Sequence, residues 1–305
     1  MSLKTSRATL VASALLSALL TVTLFYLTFE IPLLLDEALR QYLPEAFFSV
    51  LRPLGYISLT LTLVAIIAGF LAKSRFLAFL GSLTMYLPTF AYFAYAMFLL
   101  PGLGALGVLW LPILESYPLV LKLGHAVFLP FLFTPAPYAS LAGAAIIATG
   151  LLIFSLATTT WLYGRFRGYE LVDFWVYKYS RHPQYLGFLL WSYGLVVFAI
   201  QGPYPKGALS IPPTFIWLVV AATVGGIALL EELEMVEKHG EKYREYREKT
   251  PFMVPLPKPL VAIIMLPARV VGGYPKRVRD VVVIVALYTA ILALLSYVLV
   301  TILEL

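Results

Sequence analysis

The sequence predicts an all-α fold: a polytopic membrane helix bundle of about seven transmembrane helices, with a cytosolic amphipathic helix after the sixth. Three observations predict it. Hydrophobic residues make up 61% of the 305. Charged residues, 22 basic and 16 acidic, make up only 12%, about half the share of an ordinary soluble domain. Those charges are also clustered. No Asp, Glu, Lys or Arg occurs in 76–114, 123–164, 182–205, 207–230 or 281–303, and a spanning helix needs roughly 20 mainly apolar residues. A soluble fold of this length would need a charged surface that the chain lacks, and disorder requires the opposite composition.

The expected spans are 8–29, 55–72, 76–100, 138–163, 184–200, 213–230 and 281–302. Lys4 and Arg7 precede the first. It begins like a signal peptide, but the apolar run is too long and shows no convincing small-residue cleavage site, so it reads as an uncleaved helix. Lys73 and Arg75 separate the second and third spans. The segment 101–137 is broken by Pro112, Pro118 and Pro130 and reads as a re-entrant or interfacial hairpin, or as two short extra spans. Pro183 suits the first turn of the fifth span. The sixth runs directly into the most charged stretch of the chain. The mostly apolar 261–271, with Pro267 and Arg269, resembles an interfacial segment before the last span. Three regions follow: 1–137 without a recognised motif, 138–258 with two or three spans plus the cytosolic helix and the motifs quoted below, and 259–305 as interfacial segment and last helix.

Orientation follows from Lys and Arg. With the N-terminus inside, Lys73, Arg75, Arg165, Arg167, Lys178, Arg181 and ten further basic residues in 238–279 lie inside. Arg40, Arg52, Lys122 and Lys206 lie outside. The N-terminus is expected in the cytoplasm and the C-terminus outside it, in the plasma membrane of a prokaryote. The net charge of +6 is this bias, and no nucleic-acid partner is expected. The absence of Cys excludes disulfides and thiol nucleophiles. His125, His182 and His239 have no metal-ligand spacing, so no metal is expected. Asn is absent and Gln occurs three times, a depletion that fits a thermophile.

Several features read as structure. Gly102, Gly104 and Gly107 fit a dinucleotide fingerprint by letter, but no strand precedes them. His125 is expected to be a hydrogen-bonded structural residue. Gly225 and Gly226 are expected to permit close helix packing.

Twelve of the 38 charges lie in 231–249. At about 100° per residue, Glu232, Val236, His239, Tyr243 and Tyr246 share one stripe of a helix. The opposite face, with Glu234, Glu237, Glu241, Arg244, Glu245 and Glu248, reads as solvated. Glu232 stands on the less charged side, where a carboxylate needs a partner. Either a structural partner such as Arg181 or a bound cationic ligand answers that need. The second cluster, 165–183, is rich in Arg and aromatic residues, as membrane anchoring requires. Anchoring leaves Arg181, His182 and Pro183, at the mouth of a helix, unexplained.

The residues LVDFWVYKYSRHPQYLG, 171–187, resemble the pattern LV-x-x-GPY-x-x-x-RHP-x-Y-x-G. Glu231 and Glu232 followed by HGEKYREYREKTPFMVP, 239–255, resemble a second pattern: paired acids, then xG-x-x-Y-x-x-Y and a final P-x-x-P. Both patterns belong to the isoprenylcysteine carboxyl methyltransferases and the related phospholipid N-methyltransferases. The likeness covers 165–255. It implies S-adenosylmethionine as cofactor, held at the cytosolic mouth of the helices by His182, Tyr185, Leu186, Gly187, Glu231, Glu232, Tyr243 and Tyr246. It implies Arg181 near the reaction centre, with Lys249 where the isoprenylcysteine enzymes tend to have Arg. The sequence departs from the pattern at Trp175 and Val176, where the family has Gly-Pro.

Such an enzyme aligns donor and nucleophile and excludes water. Acids and aromatics suit a sulfonium. A carboxylate acceptor needs no general base but needs a cationic anchor, for which Arg181, Arg165, Arg167 and Lys249 are candidates. An amine or thiol would need a base, His182 or a Glu. The expected partners are membrane lipids and a lipophilic or prenylated substrate. The alternatives are an NADPH-dependent membrane sterol or enone reductase, whose C-terminal region resembles the same pattern, and a non-enzymatic transporter or scaffold.

Overall fold

The structure, a computed structural model, describes residues 7–23, six positions between 57 and 68, 118–201 and 214–304. The expected span 76–100, most of 55–72, the glycines at 102, 104 and 107, and Arg40, Arg52 and Lys206 lie outside the described residues. Every regular element described is helical.

Helix α1 is Arg7–Thr23. The next described elements are two short helices, α2 (Pro118–Leu121) and α3 (His125–Leu132). Pro118 opens α2 and Pro130 lies inside α3, while the rest of the expected hairpin, 101–117, lies outside the described residues. Long α4 (Ala136–Phe166) ends at a loop with a 3₁₀ turn at Trp175–Lys178. Then come α5 (Pro183–Gln201) and α6 (Thr214–His239). A short α7 (Glu241–Lys249), α8 (Lys258–Ile264), a 3₁₀ turn at Pro267–Val271 and α9 (Val278–Leu303) complete the chain.

Among the described residues, two helices, α4 and α9, are long and apolar enough to cross a membrane by length and composition. Seven spans are therefore an expectation that this count does not reach. The placement of side chains agrees with a membrane association. On α1, Ser13 and Ser17 are buried, while Leu15, Leu19 and Val22 are over 60% exposed. Ser17 donates to the carbonyl of Ser155 on α4 at 2.6 Å. On α9, Ser296 is buried and Leu294 and Ile302 face outward. Small polar residues between helices with large apolar ones outside is the arrangement expected in lipid.

Among the described residues, helices α4 and α5 form the most extensive contact, and they meet through backbone. A Cβ at Gly150 would lie 2.3 Å from the Trp191 nitrogen, and one at Gly187 would lie 2.5 Å from the Phe154 nitrogen. No side chain fits at either position. The expectation for Gly225 is corrected: among the described residues, a Cβ there would meet nothing within 4 Å.

Helices α3, α5 and α6 enclose a core of Phe128, Val196, Val197 and Trp217. Phe128 stacks on Tyr193 with ring centroids 4.4 Å apart. Its polar atoms are satisfied, as burial demands: Trp217 Nε1 donates to Ser192 Oγ at 3.0 Å, and Tyr193 donates to the Val127 carbonyl at 2.8 Å. His125 is the expected structural residue, with Nδ1 2.8 Å from Thr214 Oγ1.

The charged segment is not one continuous stripe. Gly240 adopts φ 55, ψ −127, a conformation open to glycine and strained for other residues. The break re-aims α7 toward the start of α5, so Tyr243 is buried beside Glu232 and Arg181.

Candidate functional site

The site forms where α5 begins, α6 ends and α7 crosses them. Pro183 is the first residue of α5, and the His182 carbonyl accepts the first bond of that helix from Leu186 at 3.0 Å. Arg181 and His182 are thereby fixed just before the helix, with Tyr185 one turn in. The Arg181 backbone N–H donates to the Pro251 carbonyl at 3.0 Å, which ties this point to the chain leaving α7. On α6, Glu231, Met235 and Lys238 share one face at i, i+4, i+7 spacing.

At the centre is Glu232, with no exposed surface. Its Oε1 lies 3.2 Å from Arg181 Nε and 3.1 Å from His182 Nε2. The arginine contact has ion-pair distance without hydrogen-bond alignment: Arg181 Nε and Nη1 and Glu232 Oε2 are all buried with no hydrogen-bond partner. Burying an ion pair with open valences is costly. The structural partner proposed for Glu232 is thus present, and atoms that call for a further partner are present with it. Glu231 beside it accepts from Tyr185 at 2.7 Å, and its Oε2 is 3.8 Å from His182 Nδ1.

Aromatic rings wall this cluster. His182 lies parallel to Tyr185 at 5.7 Å and edge-on to Phe252 at 5.1 Å. Arg181 stands over Phe252 at 5.6 Å and over Tyr274 at 5.7 Å, near enough for cation–π attraction. Tyr246 donates to the Tyr177 carbonyl at 2.6 Å, which holds the 3₁₀ turn against α7. Burial raises the hydroxyls of Tyr177, Tyr243 and Tyr246 above the ordinary tyrosine range. They remain donors at neutral pH.

A cavity of about 350 Å³ opens onto the cluster. Of the residues singled out in the sequence, Arg165, Arg181, His182, Tyr185, Glu231, Tyr243 and Tyr246 line it, and Glu232 lies buried behind the wall. Leu186, Gly187, Arg167 and Lys249 are not on that wall. Gly187 meets the α4 backbone, and Arg167 caps α4. Lys249 is 77% exposed, 3.8 Å from Glu245. The structure adds Trp161, Glu170, Gln184, Met235 and Lys238. Two of these had a legible signal: Met235 and Lys238 follow Glu231 at helical spacing. The cavity therefore presents carboxylates (Glu231, Glu170), cations (Arg165, Lys238) and aromatic faces together. That lining suits a ligand carrying both charges and a flat group. Among the described residues, no group of His, Asp and Glu is placed to hold a metal ion.

Trp175 is at φ 48, a left-handed conformation that disfavours side chains. It stands where the resembled pattern has Gly, which explains why Gly suits that position. Here Tyr163 at 5.0 Å and Phe174 at 5.3 Å hold the indole.

Residues 164–250 match a family described as a protein of unknown function, DUF1295. That family is related to steroid 5α-reductase-like and isoprenylcysteine methyltransferase-like membrane proteins. No curated protein and no solved structure matches the chain. The matched stretch runs from the end of α4 to the end of α7, and so contains the Arg181–Glu232 cluster and most of the cavity wall.

Proposed function

We propose that the chain is an integral membrane methyltransferase that uses S-adenosylmethionine and acts on a lipophilic acceptor at the cytosolic face. The observation that carries this reading is the buried Glu232–Arg181–His182 cluster, with partnerless polar atoms, behind a cavity of mixed charge. The residues fit the cofactor's chemistry. Glu231, Tyr185 and Tyr243 offer a negative and aromatic surface for a cation, while Arg165 and Lys238 offer cations for a carboxylate. When bound, the cofactor supplies a methyl group on a sulfonium. The chain's part is to position, to exclude water and to anchor the acceptor.

His182 Nε2 is engaged by Glu232, so the imidazole orients the buried acid and is poorly placed as a free base. Arg181 stands over Phe252 and Tyr274 and its Nη1 has no hydrogen-bond partner, so it serves as anchor for an anionic acceptor. This favours an ionised carboxylate acceptor, which needs no base. The second reading is an NADPH-dependent reductase, kept because the matched family is related to both kinds of protein.

The test is to incubate membranes containing the protein with methyl-labelled S-adenosylmethionine and a lipid extract of the source cells. Label should enter the organic-soluble fraction, and Glu231→Gln should reduce it at least tenfold. Lipid-dependent NADPH oxidation without methyl transfer would favour the reductase instead.

A further inference from the structure

On the face of α6 turned away from the first cavity lies a second, wider cavity of about 820 Å³. Its rim is basic. Arg244 and Arg247 come from α7, and Lys276, Arg277 and Arg279 come from the entry to α9. Glu234 and Glu237 are its carboxylates among the described residues, so cations outnumber them. Asp280, beside the rim, accepts from the backbone N–H groups of Lys276 at 2.9 Å and Arg277 at 3.0 Å, which occupies it with the backbone.

The rim is also organised. The Arg247 guanidinium lies 4.3 Å over the Tyr274 ring, and the Tyr274 hydroxyl, in the same cavity, is buried with no partner. The inner wall is apolar, from Leu230, Leu233 and Val236. Just before it in the chain, 258–271 turns apolar side chains outward, with Ile263 62% and Val270 71% exposed. That is the surface of a segment lying in a membrane interface.

A cationic rim, an apolar wall and an interfacial neighbour fit one chemistry. We propose that this groove holds the phosphate headgroup of an anionic phospholipid, with Arg247 and Arg279 on the phosphate and the glycerol end along Leu233 and Val236. Arginine favours such contacts because its fork matches phosphate oxygens. Basic residues at an anionic membrane surface contribute separately and additively. The inference does not depend on methyl transfer.

The test uses the full chain in zwitterionic detergent, titrated with phosphatidylglycerol, phosphatidylcholine and inorganic phosphate, and followed by thermal shift and native mass spectrometry. Phosphatidylglycerol is expected to stabilise saturably, and the other two are not. Replacing Arg247 and Arg279 by Gln should weaken phosphatidylglycerol binding by roughly thirtyfold. Replacing Lys178 and Lys242, exposed cations outside the groove, should leave it unchanged. If the first variant does not fold, Lys276→Gln with Arg277→Gln should show a comparable loss. Equal binding of phosphatidylcholine, equal binding of inorganic phosphate, equal weakening in the Lys178/Lys242 control, or unaltered binding in the Lys276/Arg277 pair would each overturn the proposal.

Discussion

The α4–α5 helix pair and the junction of α5, α6 and α7 are built on opposite principles. Along α4 and α5 the chain removes side chains, so that backbone meets backbone at Gly150 and Gly187. At the junction it buries charge, with Glu232 fully enclosed against Arg181 and His182. The first region is held by close backbone contact. The second leaves Glu232 Oε2 and Arg181 Nη1 without partners. Close packing holds the first region together, and the unfinished buried polar cluster makes the second the candidate site for a ligand.

The sharpest way to break that contrast is at Glu232. Replacement by Ala strands Arg181, which is 8% exposed, and should cost about 3–5 kcal/mol. Glu232→Gln keeps the shape and should cost less while still losing ligand stabilisation. Chemical denaturation in mixed micelles measures both, and an Ala variant as stable as wild type would mean the pair contributes little.

The next test is at the glycines. Gly187→Ala places a methyl 2.5 Å from backbone, so the helices must part, at a cost of about 1–3 kcal/mol. Gly225→Ala fills open space and should be neutral or stabilising by up to about 1 kcal/mol through helix propensity. Equal melting temperatures for the two variants would contradict the packing assigned to Gly187.

These sites also show what the sequence could reveal. Arg181 and Glu232 stood out because a charge in an apolar setting requires a partner, and each proved to be the other's. The resemblance makes Gly187 a cofactor residue, and the sequence alone makes Gly225 a packing glycine. Instead Gly187 packs on the α4 backbone and Gly225 faces no described atom within 4 Å, because a glycine's reason lies in the element that faces it. Lys249 matched a motif position, yet the turn after Gly240 carries it to solvent. The basic groove was illegible for a related reason. Its halves, on α6–α7 and at 274–279, come together only through the return of the chain into α9. The DUF1295 match covers the first half of that groove and stops before the second.

The smallest expected effect is at Asp280. Backbone donation from Lys276, then from Arg277, holds its carboxyl below the ordinary range. A depressed carboxyl stabilises the fold above its unfolded value and loses that contribution as pH falls through the folded one. The melting-temperature gap between wild type and Asp280→Ala should therefore be present at neutral pH and should close below about pH 4. A gap that stays constant down to pH 2 would remove the helix-entry role of this residue.

The most direct measurement is a thermal shift on the purified protein with S-adenosylmethionine, S-adenosylhomocysteine and NADPH in parallel. The expected result is stabilisation by both methyl-cofactor species and not by NADPH, lost in Glu232→Gln and in His182→Ala. Stabilisation by NADPH alone would contradict the assignment of the Arg181–Glu232 cluster to a methyl-donor site.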